Sequence, residues 1–470
     1  MIIIANQGIE KNGLELAQGI AAGALSAREV VEASIARIEA TDARVNAFTG
    51  KGYQRARQEA DAVDASRARG ETLPPLAGVP YAVKNLFDVQ GEVTLAGSKI
   101  NRSRPPAAHD AFLVTQMKRA GAVLLGSLNM DEYAYGFTTE NTHYGPCHNP
   151  HDLSRLAGGS SGGSGAAVAA GQVPIALCSD TNGSIRVPAS LCGVWGLKPT
   201  FGRLSRRGTY PFVQSIDHLG PLADSVQTLA LAYDVLQGPD PRDPGCHALQ
   251  VQPVSAGLAH GTQGLRIGLL GGYFNDHATP PAREVAATAA RVLGATDLVH
   301  WPSPELGRAA AFIVTASEGG SLHLPDLRAR LADFDPLIAD RLVAGALQPA
   351  AWYLRAQRFR RVYRDRVNAL FQDWDVLLAP ATPVSAPLIG TEWLDINGVQ
   401  QPCRPSMGLL TQPISFAGCP VVAAPLWPTG TGGMPIAVQI IAAPWREDLA
   451  LRAALALQSA GVAHLKPTLI

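Results

Sequence analysis

Residues 158–199 constrain the fold of this chain more than any other stretch of its sequence. The stretch opens with GGSSGGSG, which consists of Gly and Ser alone, and residues 180–184 form a second loop, Asp-Thr-Asn-Gly-Ser. Loops of this composition let backbone N–H groups approach a ligand that bulkier side chains would keep away. Apolar runs flank the second loop, whereas a flexible Gly/Ser linker is polar throughout. The pattern therefore predicts two folded loops that present hydroxyls and N–H groups to a substrate.

The composition is that of a globular protein. Of the 470 residues 47% are hydrophobic and 17% are charged, which excludes extensive disorder. Lys+Arg and Asp+Glu balance at 39 each, so the charge indicates neither nucleic acid nor an anionic membrane as partner. The 6 cysteines form no CxxC pair and predict reduced thiols. We see no signal-peptide pattern and no run of about 20 apolar residues, and therefore expect a soluble, cytoplasmic protein.

Apolar runs alternate with helical patterns along most of the chain. Strands are predicted at 79–83, 122–125, 173–178, 265–270, 297–300, 375–379, 421–424 and 435–441. Helices are predicted at 54–69, 111–119, 164–170, 224–236, 281–293 and 447–458, whereas 198–221 is predicted to be loop-rich. This alternation indicates an α/β layer architecture in which helices cover a mostly buried sheet.

The chain divides into two predicted parts. Residues 1–70 form an N-terminal helical segment that packs on the core, and residues 71–470 form one continuous domain. Within the first part, Ser26-Ala27-Arg28-Glu29 fits a capping box at the start of a helix. Residues 237–264 are rich in Gly, Pro and polar residues, which predicts a long surface connection.

Two features are candidate polar sites, and the role of the first stays open. Lys84 ends the apolar run at 79–83, where an unpaired charge is costly. Most lysines avoid that cost by snorkelling or pairing, but a buried lysine also changes its pKa readily. His148 and His151 flank a helix-breaking Asn-Pro and have no Cys or Glu at ligand spacing, so we predict no metal site.

Serines, a lysine and glycine-rich loops together are one solution to amide cleavage. An amide is a poor electrophile, so its hydrolysis needs an activated nucleophile and donors for the oxyanion. The residues around Ser184 do not form the GxSxG elbow of an α/β-hydrolase. A lysine can act as the base if burial lowers its pKa from about 10.4. These residues are consistent with that chemistry without being specific for it.

The motifs become specific when they are taken together. The chain contains the segments GGSSGGSGAAVAAG and DTNGSIRVPASLCGVWGLKPT, with PLAGVPYAVKN upstream and GCPVVAAP and GMPIAVQII downstream. Together these segments resemble those of the amidase signature family of serine hydrolases. The likeness covers residues 10–460. It implies one large domain with a central mixed β-sheet covered by helices on both faces, and an amide hydrolase that requires no cofactor.

The family's catalytic residues carry over onto matching positions. The resemblance places the nucleophile at Ser184, the bridging serine at Ser160 and the base at Lys84. Neutral Lys84 then draws the proton of Ser184 through Ser160 and returns it to the leaving ammonia. The resemblance also implies an oxyanion hole formed by the backbone N–H groups of Thr181, Asn182, Gly183 and Ser184.

Asn182 departs from the family pattern, which commonly has Gly there. Asn tolerates left-handed backbone better than other non-Gly residues, so the loop can keep its shape. We hypothesise that the Asn182 side chain narrows the pocket or contacts the substrate. A small polar, anionic amide would also need donors: Arg186 is as well explained by a structural loop contact, and Tyr133, Tyr135, Thr142 and Arg207 are further candidates.

The resemblance also implies a protein partner. NMDEYAYGFTTEN and NPHDLSRLAGGSSGGS are similar to segments of the glutaminase component of tRNA-dependent amidotransferases. That similarity implies a small helical accessory protein and a homodimer of such heterodimers. The main prediction is an amide hydrolase that releases ammonia from a small polar amide. The alternatives are a glutaminase subunit of an amidotransferase, another amidase of the family with a larger or arylated substrate, or a non-catalytic scaffold.

Overall fold

One large β-sheet organises the computed structural model, which describes residues 11–468 and 470. Seventeen strands are present in the described part: β1 Phe48–Lys51, β2 Pro80–Lys84, β3 Val123–Leu128, β4 Glu140–Asn141, β5 Gly145–Pro146, β6 His148–Asn149, β7 Asp152–Leu156, β8 Ile175–Asp180, β9 Trp195–Lys198, β10 His218–Ala223, β11 Ile267–Leu270, β12 Leu298–Val299, β13 Val376–Pro380, β14 Trp393–Ile396, β15 Val399–Pro402, β16 Val421–Leu426 and β17 Ile436–Ala442. Eleven of them form the sheet, in the order β1-β3-β2-β8-β10-β9-β16-β17-β13-β11-β12.

Helices surround this sheet. They are α1 Gly13–Ala21, α2 Ala27–Val45, α3 Tyr53–Ala68, α4 Phe112–Arg119, α5 Gly162–Ala169, α6 Arg186–Cys192, α7 Val226–Leu236, α8 Tyr273–Asp276, α9 Pro280–Leu293, α10 Pro304–Arg330, α11 Pro336–Ala346, α12 Ala350–Leu370, α13 Cys403–Ser406, α14 Gln412–Ala417 and α15 Glu447–Ser459. No helix of the described residues is long and apolar enough to cross a membrane.

The sheet is mixed and buried on both faces. Strand β2 runs parallel to β3 and β8, whereas β16 and β17 are antiparallel. Every residue of β2, β3, β8, β10, β16 and β17 is buried. Because successive side chains of a strand point to opposite faces, full burial means that both faces are covered. The predicted α/β class, with helices over a mixed sheet, is confirmed.

The N-terminal part is tied to the sheet by more than helix packing. The predicted capping box is present, since the Glu29 N–H donates to Ser26 Oγ at 3.0 Å and the Ser26 N–H to a Glu29 carboxylate oxygen at 3.3 Å. Helices α1, α2 and α3 follow the helical prediction, but β1 lies between α2 and α3 and forms an edge of the central sheet. Residues 1–10 of the predicted segment lie outside the described residues.

The loop-rich stretch predicted at 198–221 is wrong at both ends: Lys198 belongs to strand β9, and the last four residues lie in strand β10. The sequence there contains Gly220 and Pro221, which are unfavourable in a strand interior. Strand β10 pairs with β8 over its whole length but meets β9 only at Leu222 and Ala223. Pro221 lies opposite Leu177 of β8 but outside the β9 ladder, so its missing N–H takes nothing from the pairing with β9.

Candidate active site

Strand pairing places Lys84 next to the two glycine-rich loops. Lys84 is the last residue of β2, and β2 runs parallel to β8 with Val83 opposite Leu177. The ends of both strands therefore lie at the same edge of the sheet. Lys84 is fully buried, and its Nζ donates to Ser160 Oγ at 2.6 Å and to Ser179 Oγ at 2.9 Å.

Ser160 lies in the first loop, directly before helix α5. The Gly159–Ser160 peptide bond is cis, and the Ser160 carbonyl accepts a hydrogen bond from the Asp131 N–H at 3.2 Å. A Cβ at Gly159 would lie 2.2 Å from Asp131 Oδ2, so only glycine fits there. The close packing of Gly159 against Asp131 holds the first loop in place. In this position the loop brings the Ser160 hydroxyl next to the Lys84 ammonium group.

The second loop, which carries Ser184, follows strand β8. Gly183 has a φ of +146°, and a Cβ there would lie 2.2 Å from Thr411 Oγ1. Thr181 Oγ1 donates to Asp217 at 2.6 Å. Within the described residues, the N–H groups of positions 181–184 donate to no protein acceptor. They are thus available to an oxyanion, as expected of a preorganised hole.

A buried ion pair holds the base of this loop. Arg186 contacts Asp180 through Nε and Nη2, each at 3.0 Å, and both side chains are fully buried. Burial alone would raise the pKa of Asp180, but the Arg186 guanidinium outweighs it and lowers that pKa to about 2. Arg186 also donates to Gln439 Oε1 at 2.7 Å and to Ser415 Oγ. This geometry favours the loop contact over a substrate contact for Arg186.

Ser184 borders a small cavity of about 20 Å³. Helices α10, α11 and α14 supply Thr315, Arg341 and Gln412 to its lining, and Asn182 lines it from the loop. The Arg341 guanidinium lies 3.8 Å from the centre of the Tyr135 ring. Thr315, Arg341 and Gln412 are not predicted from the sequence, because they lie on ordinary helices without a motif.

The hypothesised role of Asn182 gains geometric support. Its Nδ2 donates to Thr315 Oγ1 at 2.9 Å, whereas its buried Oδ1 has no hydrogen-bond partner among the described residues. Asn182 also lines the cavity beside Ser184. Its amide oxygen is therefore an acceptor that no described group uses, on a residue that borders the cavity.

The other candidate residues lie at different distances from Ser184. Tyr135 lines the same cavity. Tyr133 is buried against His323, with 3.9 Å between ring centres. Arg207 lines a neighbouring cavity and is paired with Asp240 at 2.7 Å.

The remaining candidates are held by neighbouring groups. The Thr142 N–H donates to Asp335 at 3.0 Å. The rings of His148 and His151 contact the carbonyl oxygens of Leu153 and Cys192, at 2.6 and 3.0 Å. The described part of the chain contains no group of three or more metal-ligating side chains.

Burial sets the protonation of Lys84. It lowers the Lys84 pKa to about 8, although the Cys178 thiol and the carboxylates of Asp131, Asp217 and Asp180 favour the charged form. Lys84 is thus protonated below about pH 8 and able to accept a proton above it. We expect kcat/KM for an amide to rise through about pH 8 to a plateau, measured from about pH 6 to about pH 10.

A variant of Asp217 provides a second test of this pH profile. Because its carboxylate raises the Lys84 pKa, Asp217→Asn should move the rise in kcat/KM to lower pH. A profile that is flat across this range in the wild-type protein would contradict the assignment of Lys84 as the base.

Comparisons of the sequence with known proteins identify the family. The family model described as Amidase matches residues 29–451. The chain belongs to the amidase family. This amidase is 70% identical over 453 residues to AtzE, the 1-carboxybiuret hydrolase subunit of Pseudomonas sp. (strain ADP), covering 96% of this chain and 99% of that protein. It is 39% identical to the A component of the glutamyl-tRNA(Gln) amidotransferase of Anaeromyxobacter sp. (strain K), over 94% of this chain and 95% of that protein.

A solved structure supports the same relationship. It is described as an unexpected vestigial protein complex that reveals the evolutionary origins of an s-triazine catabolic enzyme. It superposes on this amidase with a TM-score of 0.97 at 70% identity, covering 97% of this chain and 100% of the other. The family membership and the amide hydrolase class predicted from the sequence motifs are confirmed.

Proposed function

We propose that this amidase hydrolyses 1-carboxybiuret to ammonia and urea-1,3-dicarboxylate in s-triazine breakdown. The observation that carries the proposal is the 70% identity to a 1-carboxybiuret hydrolase subunit over 96% of the chain. The sequence of the whole chain, rather than any single motif, resembles that of a 1-carboxybiuret hydrolase subunit. We also propose that this amidase is a cytoplasmic enzyme.

The proposed reaction follows the contacts around Lys84. Ser184 Oγ attacks the terminal amide carbon while its proton passes through the Ser160 hydroxyl to neutral Lys84. The N–H groups of residues 181–184 stabilise the oxyanion. When the C–N bond breaks, the proton returns through Ser160 to the leaving nitrogen, which departs as ammonia. Water then hydrolyses the acyl-enzyme and releases the second carboxylate. The 2.6 Å contact between Lys84 and Ser160 supports this relay.

The cavity beside Ser184 offers partners for an anionic, amide-rich molecule. Arg341 supplies a guanidinium, which pairs with carboxylates through two parallel hydrogen bonds. The unpartnered Oδ1 of Asn182 supplies an acceptor for a substrate N–H group. We propose that Arg341 binds the substrate carboxylate and Asn182 a urea N–H. Tyr135, which the Arg341 guanidinium covers, completes this side of the pocket.

We further propose that this amidase works with a small helical accessory subunit, in a homodimer of such heterodimers. The description of the similar solved structure as a protein complex supports a subunit partner.

Ammonia release from a panel of amides tests the proposed function. The purified amidase, co-expressed with the products of its neighbouring genes, is given 1-carboxybiuret, biuret, glutamine, simple amides and an aryl amide. We expect 1-carboxybiuret to have the highest kcat/KM. Higher activity on glutamine would instead favour a glutaminase subunit, and higher activity on aryl amides another amidase of the family.

Two variants test the proposed nucleophile and the proposed carboxylate site. Ser184→Ala should abolish both ammonia release and labelling by a fluorophosphonate, whereas a folded wild-type protein that resists labelling would contradict the nucleophile. Arg341→Gln should raise KM for 1-carboxybiuret by about 10- to 150-fold, which corresponds to the loss of about 1.5–3 kcal/mol from a hydrogen bond to a charged group. The same variant should leave kcat/KM for a neutral amide nearly unchanged. An equal loss on both substrates would argue against a carboxylate site at Arg341.

A further inference from the structure

The cavity beside Ser184 is too small for an amide substrate. Its volume of about 20 Å³ is close to the space that a single water molecule requires. An amide group with its substituents takes up more room than one water molecule. A side chain that lines this cavity must therefore move before a substrate reaches the Ser184 hydroxyl.

Larger spaces adjoin this cavity. A neighbouring cavity of about 240 Å³ reaches Ser179 and Thr181, and a groove of about 850 Å³ lies between the loop around residue 212 and helices α10 to α12. Phe212 lines all three spaces. Its side chain therefore stands between the outer groove and the cavity at Ser184.

Phe212 is the lining side chain best suited to open a path. The cavities of about 240 and 20 Å³ share Ala134, Thr181 and Phe212. Ala134 has only a methyl group to move, and the Thr181 hydroxyl is bound to Asp217. The Phe212 ring packs against Tyr135, with 4.9 Å between the ring centres, and lies close to Gly319. Rotation about its side-chain bonds would move the ring into the groove that it already borders.

The backbone under this ring is fixed. Asp217 Oδ2 accepts hydrogen bonds from the N–H groups of Phe212 and Val213 at 3.0 and 2.8 Å. The same carboxylate accepts the Thr181 hydroxyl through Oδ1. The backbone at Phe212 is thereby tied to the oxyanion loop, so the ring can move while the N–H groups that face the substrate stay in place.

We propose that Phe212 is a gate that selects by size which amides reach Ser184. In its closed position the ring separates the groove from the cavity, and in its open position it admits compact acyl ureas but obstructs bulky N-aryl amides. This inference rests on Ser184 as the nucleophile of the proposed function, but not on the identity of the amide.

Covalent labelling tests the gate independently of the substrate. The complete amidase is labelled at Ser184 by two fluorophosphonates, one with small alkyl groups and one with a bulky aryl group, and the ratio of their second-order rate constants is measured. Phe212→Met keeps a similar volume on a more flexible chain and should raise the bulky-to-small ratio about ten-fold. Phe212→Trp should lower the same ratio.

Phe359 offers a matched control, because it packs on Tyr363 of α12 and lines none of the three spaces among the described residues. Phe359→Met should leave the ratio at the wild-type value. A ratio that is the same in wild type, Phe212→Met and Phe212→Trp would overturn the gate. Opposite shifts in the two variants would support it, because general destabilisation moves both in one direction. If Ser184 is labelled but 1-carboxybiuret releases no ammonia, the substrate assignment fails while the gate is still tested.

Discussion

We expect Lys84→Met to lower kcat for ammonia release by about 10⁴-fold, the upper range for loss of a general acid–base group. The Lys84 ammonium group is fully buried and donates to Ser160 Oγ at 2.6 Å, and methionine fills the same space without a proton acceptor. The Ser184 hydroxyl then loses its only proposed route for deprotonation. Steady-state ammonia release at a pH above about 8 measures the effect, because wild-type Lys84 is neutral there.

The relay also predicts how substitutions combine. Catalytic residues that act as one unit give losses that do not add. Ser160→Ala should lower kcat strongly, and the double variant Lys84→Met, Ser160→Ala should fall little further than Lys84→Met alone. Losses that multiply in the double variant would show that Lys84 and Ser160 act separately.

A second buried lysine provides the control. Lys198 is also fully buried, at the end of β9, where its Nζ donates to the carbonyl oxygens of Pro199 and Cys419. Burial lowers its pKa to about 7. Lys198→Met removes an ammonium group of similar burial that contacts no serine hydroxyl, so it should retain most of the wild-type kcat. A loss as large as that of Lys84→Met would mean that both substitutions act through the fold.

The sheet strands with the strongest local pattern were predictable. The run that ends at Lys84 and the run before Asp180 are continuous and apolar, which is typical of strands buried on both faces. Strand β10 was not predictable in this way. Its Pro221 is tolerated because the β9 ladder starts one residue later, and that depends on the register of a neighbouring strand.

The residues of the candidate catalytic motif were predictable from the local sequence, whereas those of the pocket were not. Lys84, Ser160 and Ser184 lie in segments whose residue order resembles a family, so their positions could be assigned before any geometry was known. Arg341 and Gln412 reach the cavity from helices α11 and α14. Their sequence neighbours carry no motif, and their distance from Ser184 along the chain gives no local signal.

Arg186 shows what a motif leaves open. The family pattern places an arginine two residues after the nucleophile, and both a substrate contact and a loop contact are consistent with that position. Its partners decide between them: Asp180 lies six residues earlier, whereas Ser415 and Gln439 lie more than 200 residues later. Only the folded chain brings these groups together around one guanidinium.

Arg186→Met should lower the free energy of unfolding by about 3–5 kcal/mol, the range for removing one partner of a buried ion pair. Both side chains of the Asp180–Arg186 pair are fully buried, so the variant leaves a carboxylate without its counter-ion. Urea unfolding near pH 7, with unchanged m-values as the two-state check, measures the loss. The surface pair Arg155–Asp152 has a similar 2.9 Å contact but side chains that are 31% and 39% exposed. Arg155→Met should therefore cost less than about 1 kcal/mol.

The pH dependence separates loss of the charge pair from loss of packing. In the wild-type protein the Asp180 pKa of about 2 lies below its unfolded value of about 3.9, so the pair's stabilisation is present above about pH 4 and is lost as the pH falls towards 2. In Arg186→Met the buried, unpaired carboxyl should have a pKa above the unfolded value, and its protonation on acidification relieves the penalty. The stability difference between wild type and variant should therefore shrink between about pH 7 and about pH 4. A difference that stays constant over this range would mean that Arg186 stabilises the loop by packing and neutral hydrogen bonds rather than by its charge.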